Sequence, residues 1–80
     1  MKYLIVHDHL VPERRIQEIK KYKHQVDVVL DDNHTLALRS KDTDALFNYL
    51  IQAMSDPKIL FINLNELNKQ VNDEVRGRSS

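Results

Sequence analysis

Apolar positions recur along this chain at two different periods, and the switches between them divide it into elements. Tyr3-Leu4-Ile5-Val6 is an unbroken apolar run, so residues 2–7 read as a buried strand. Pro12 then suits the first position of a helix, where its missing N–H costs nothing. Ile16, Ile19 and Tyr22 or Lys23 follow at three- and four-residue spacing, and acids precede bases in the order a helix dipole favours. From Val26 the period becomes two: Val26, Val28 and Leu30 alternate on one strand, Leu36 and Leu38 on the next. Asp31-Asp32-Asn33-His34 lies between them, rich in residues that tolerate left-handed backbone, which predicts an antiparallel hairpin.

The helical period returns at Leu46, Phe47, Leu50, Ile51 and Met54, with Asp42 or Thr43 as N-cap and Ser55-Asp56-Pro57 as the stop. Lys58 to Leu64 reads as a last strand, apolar on both faces through Ile59-Leu60-Phe61-Ile62. Asn65 to Val75 predicts a third helix with Leu67, Val71 and Val75 on one side, and Gly77 onward reads as a frayed tail. The resulting order, β-α-β-β-α-β, predicts an α+β ferredoxin-like domain over residues 1–66. Its four-stranded antiparallel sheet would run 4-1-3-2, with residues 67–80 a helical appendage.

The fourth strand would then be an edge that is apolar on both sides, and such edges are normally covered. That predicts self-association as a homodimer, with Tyr3, Ile5, Phe61, Leu67, Val71 and Val75 as the protein interface.

Eighty residues carry 12 Lys and Arg against 12 Asp and Glu, with 4 His and no cysteine. A chain of this size buries only about 60% of its unfolded surface. Charge balance argues against a wholesale polyanion binder. The lack of cysteine rules out disulfides and thiolate zinc sites and suits a cytoplasmic protein. No stretch reaches the length of a secretory leader core or a membrane span, so no membrane partner is expected.

Candidate chemistry is sparse. His7-Asp8-His9 ends the first strand; continued as a strand, His7 and His9 share one side and Asp8 the other, a partial metal site. A solvated strand exit explains the same residues. Arg14, Arg15, Lys20, Lys21 and Lys23, joined by Arg39 and Lys41, form a basic set suited to nucleic-acid phosphates, although Glu13, Glu18, Asp42 and Asp44 are interspersed. A solvated helix face is the plainer reading. With one glycine, no phosphate-cradling loop is available, and no serine or threonine has a base spaced for nucleophilic attack.

Three stretches carry a family resemblance: Tyr3 to Asp8, Thr35 to Ser40 with Asp44-Ala45-Leu46, and Lys58 to Leu64. Together they resemble the small CRISPR-associated ferredoxin-like endonucleases and the GhoS-type antitoxin ribonucleases. The resemblance implies a dimer in which Asp8 meets its symmetry mate and holds magnesium or manganese for phosphodiester cleavage. Only Asp8 corresponds to that family's site. The leading expectation is a small non-enzymatic binding or regulatory module without a cofactor, acting through protein contacts, in a size suited to a phage or mobile element. The competing one is a metal-dependent endoribonuclease or antitoxin-like dimer with Asp8 catalytic.

Overall fold

The segment from Pro12 to Lys23, where the apolar spacing predicts an α-helix, is a short 3-10 turn followed by a strand. The computed structural model describes residues 1–78, with side chains through Gly77. The chain runs β1 (Tyr3–Val6), β2 (His9–Pro12), a 3-10 turn (Glu13–Arg15), β3 (Ile16–Lys21), β4 (Gln25–Leu30), β5 (Thr35–Arg39), α1 (Thr43–Ser55), β6 (Phe61–Asn63) and α2 (Leu64–Arg78). These strands form two separate three-stranded sheets, in the orders β2-β1-β6 and β3-β4-β5. The ferredoxin-like four-stranded sheet and its 4-1-3-2 order are therefore incorrect. The last strand is also parallel to β1 rather than antiparallel.

The error has an identifiable cause. Ile16 and Ile19 are three residues apart, which in an unbroken strand would put them on opposite faces. The β3–β4 register jumps between Ile16 and Glu18: Ile16 faces Leu30, Glu18 faces Val29 and Ile19 faces Val28. This irregularity adds one residue to β3, so both isoleucines turn toward the core with Leu30 and Val28. A bulged strand thus reproduces the spacing of a helix stripe. Pro12 is not a helix start but the last residue of β2, an edge strand, where a missing N–H is tolerated.

The second half follows its local signals closely. The β4–β5 hairpin has Val26 opposite Leu38 and Val28 opposite Leu36. Asn33 supplies the left-handed residue of its turn at φ 68°. Asp42 caps α1, its carboxylate accepting the Ala45 N–H at 3.1 Å, and the helix ends at Ser55 before Asp56-Pro57. The final strand is shorter than its apolar run: only Phe61–Asn63 pair with β1.

One core joins both sheets and both helices. Leu4 and Val6 from β1, Val26 and Val28 from β4, Leu46 and Leu50 from α1, and Leu64 and Val71 from α2 are all buried to 2% exposure or less. Each sheet has one apolar inner face, and the helices and the other sheet cover it. Helix α2 therefore belongs to the body of the fold: Val71 is fully buried and Leu67 packs against the same core.

The free edge of β5 is closed by side chains rather than by another strand. Residues 37, 39 and 41 alternate along it. The Ala37 carbonyl meets His7 Nε2 at 2.9 Å, the Arg39 carbonyl accepts Asn68 Nδ2 at 2.8 Å, and the Lys41 N–H donates to Asn72 Oδ1 at 3.1 Å. Alternate strand residues present their backbone groups to one edge, and helix positions four apart lie on one face, so α2 meets the strand with matched spacing.

Val71→Asp should abolish the cooperative unfolding transition seen by circular dichroism, because it places an unpaired charge in the shared core. Leu46→Ala should leave a folded protein less stable by about 2–5 kcal/mol in urea titration.

Candidate functional site

Between β1 and β2 the chain reverses within two residues, His7 and Asp8, since Val6 already faces His9 across the pair. That tight turn forces His7 to φ 54°, a conformation costly for a residue with a Cβ. The side-chain amide of Asn65, at the start of α2, holds it there. Asn65 Oδ1 accepts the His7 N–H and its Nδ2 donates to the His7 carbonyl, both at 3.0 Å. With its imidazole on the Ala37 carbonyl, His7 ties the turn to α2 and to β5.

The His7-Asp8-His9 reading changes accordingly. The strand ends at Val6, so His7 and His9 do not share a face by strand alternation. All three side chains are exposed, and His7 is committed to a structural hydrogen bond. Among the described residues no three His, Asp or Glu side chains gather closely enough to hold a metal ion.

The basic set is also dispersed. Arg15 pairs with Asp31 and Asp32, each at 3.3 Å, across the β3–β4 end of the second sheet. The Asp32 carboxyl is held below its ordinary range first by the His34 backbone N–H, then by the nearby His34 and Arg15 charges, partly offset by burial. Lys20 pairs with Glu18 at 3.4 Å. Lys21 reaches Asp44 at 2.6 Å and lies 5.6 Å from the centre of the Phe47 ring. Such exposed pairs add little stability, but they neutralise the charges that a phosphate surface would need. Arg14 lies in the 3-10 turn and Arg39 at the end of β5, so the set shares no single face.

The interface residues are better grouped. In the first sheet, even-numbered β1 residues point inward: Leu4 and Val6 are buried with Val11 and Ile62. The other face carries two registered rows. Pro12, Tyr3 and Phe61 form one, and Leu10, Ile5 and Asn63 the other. Tyr3 and Phe61 stack across the strands with ring centres 5.4 Å apart and planes 17° from parallel. Phe61 is 59% exposed and Leu10 57%, with Leu60 at 54% beside them. Both helices pack on the opposite side, so this face has no cover among the described residues.

The structure thus brings together Tyr3, Ile5 and Phe61. It separates them from Leu67, Val71 and Val75, which ride on α2; Val71, a proposed contact, is unreachable in the folded chain. Leu10 and Pro12 were missed as members. Their signal was the apolar run Leu10-Val11-Pro12, concealed by reading Pro12 as a helix start.

No family model, curated protein or solved structure matches the chain. The surface itself must therefore carry the functional reading. It is open and largely apolar, and neither row carries a side chain charged at neutral pH.

Asn65→Ala should destabilise the fold by about 1–2 kcal/mol in chemical denaturation, since it releases both backbone groups of the strained His7. Asp8→Ala, in the same turn, should change stability by less than about 0.5 kcal/mol.

Proposed function

We propose that this protein is a small binding module that self-associates as a homodimer through the outer face of the β2-β1-β6 sheet. The observation that carries the proposal is the uncovered pair of rows, Pro12–Tyr3–Phe61 and Leu10–Ile5–Asn63. Contiguous apolar surface of this kind, rimmed by polar residues, marks association sites in proteins of this size.

A second copy fits the face better than a charged partner would. Neither row contains a charge, so like meets like without electrostatic penalty. Two such faces can pack sheet on sheet, at the roughly 10 Å separation sheets adopt when their side chains interdigitate. With the strands running in opposite senses about a two-fold axis, the Tyr3–Phe61 stack of one copy lies over the Ile5–Leu10 row of the other. The large rings then fill the space above smaller side chains. Each copy contributes the same patch, as a closed two-fold dimer requires.

Regulation by protein contact is the role this arrangement supports best. The face is largely apolar, with the Tyr3 hydroxyl and the Asn63 amide as the polar groups of its two rows.

Light scattering coupled to size-exclusion chromatography should show twice the chain mass at high micromolar concentration. Phe61→Lys and Leu10→Lys should each yield a folded monomer, with dissociation constants raised roughly thirtyfold or more, as loss of a central apolar anchor implies. Ile51→Lys, on an exposed position of α1, should leave the dimer intact. A wild-type protein that stays monomeric throughout would overturn the assignment.

A further inference from the structure

The second sheet has an outer face too, and its chemistry is different. β4 directs Val26, Val28 and Leu30 into the core, leaving Gln25, Asp27 and Val29 outward. At the end of the sheet farthest from the Asp31-Asp32 turn, Gln25 sits between two neighbours. Tyr22 donates its N–H to the Gln25 carbonyl at 2.8 Å, and Arg39 is the registered partner of Gln25 on β5. Tyr22 and Arg39 therefore flank one outward row. Tyr22 is 47% exposed, well above what a core aromatic shows.

Cations surround this row. Lys23 and His24 form the turn after Tyr22, and the His24 carbonyl accepts the Ser40 N–H at 3.0 Å, which fixes that turn against the loop before α1. His24, Arg39, Lys41 and Asn72 then line an open groove between the sheet end and α2. Lys23, Arg39 and Lys41 are exposed, and among the described residues none of their side chains forms an ion pair. Of the nearby carboxylates, Asp44 is paired with Lys21, while Asp42 caps α1 and Asp27, registered opposite Lys20, accepts from the Gln25 amide at 2.8 Å. A chain of zero net formal charge thus places three cations without a direct ion-pair partner among the described residues at the sheet end that carries an exposed aromatic ring.

We propose that this sheet end binds single-stranded nucleic acid. Arg39, Lys41 and Lys23 contact successive phosphates, and Tyr22 stacks on a base. An exposed ring beside a groove of cations is the combination that non-specific single-strand binding uses, since every base offers a face and every nucleotide a charge. The site lies on the other sheet from the proposed dimer face and does not depend on self-association. It takes Lys23, Arg39 and Lys41 from the basic residues read from the sequence and leaves out Arg14, Arg15, Lys20 and Lys21.

Fluorescence anisotropy with labelled oligothymidine DNA and oligouridine RNA of about ten nucleotides tests the proposal. Binding at low salt should weaken as salt rises, with a log–log slope of roughly −2 for three phosphate contacts. Arg39→Glu with Lys41→Glu should reduce affinity at least about tenfold. Arg39→Gln with Lys41→Gln should give a smaller loss. Tyr22→Ala should weaken binding without altering the salt slope, and Tyr22→Phe should restore it. Arg14→Glu, an equal change of charge in the 3-10 turn, should leave affinity unchanged.

Three results would overturn the assignment. One is no binding by the wild-type protein at low salt. Another is an equal loss in Arg14→Glu. The third is equal affinity for a polyglutamate peptide together with indifference to Tyr22→Ala, which would make the surface a site for acidic protein instead. Circular dichroism of each variant confirms that the fold is retained.

Discussion

Everything in this molecule depends on two small sheets sharing one set of buried side chains. A three-stranded sheet with strands of three to six residues cannot exclude water from its own inner face. Here the inner faces converge on α1 and α2, and Leu4, Val28, Leu46 and Val71 all enter a single cluster. The 3-10 turn at Glu13–Arg15 makes this possible. It lets one extended stretch leave the first sheet as β2 and enter the second as β3. Removing either helix would expose both sheets at once.

That shared core settles which surfaces remain for partners. Both helices are spent on the inner faces, so each sheet keeps an outer face. The two outer faces differ because their strands carry different alternate residues. Tyr3, Ile5, Leu10 and Phe61 leave one apolar; Glu18, Lys20, Asp27 and Arg39 make the other charged. The open edge of β5 is closed by His7, Asn68 and Asn72, so backbone pairing is not offered there. The first sheet keeps an outer face of apolar side chains.

Local signals were reliable where one element met its neighbour in sequence. The β4–β5 hairpin, the Asp42 cap, the Pro57 stop and the apolar stripe of α2 all follow from residues within a few positions of one another. The stretch from Pro12 to Lys21 misled because its isoleucine spacing fits a helix and a bulged strand equally well. Only pairing with β4 distinguishes them. Likewise Tyr3, Ile5 and Phe61 were recognisable as two-sided strand positions, whereas Leu10 and Pro12 joined them only through the β1–β2 register. The basic residues looked like one surface because a helix would have gathered them; as strand and turn residues they point apart.

By itself the sequence determined which stretches are apolar, where the second half turns and caps, and that the first and last strands carry apolar residues on both sides. These are short-range properties, set by side-chain period and by the few residues that tolerate unusual backbone. The tertiary structure decided the division into two sheets, the parallel placement of β6, the burial of Val71 and the separation of an apolar face from a basic one. Each of these depends on which strand pairs with which, a choice made by distant residues competing for one core, and no local period records it.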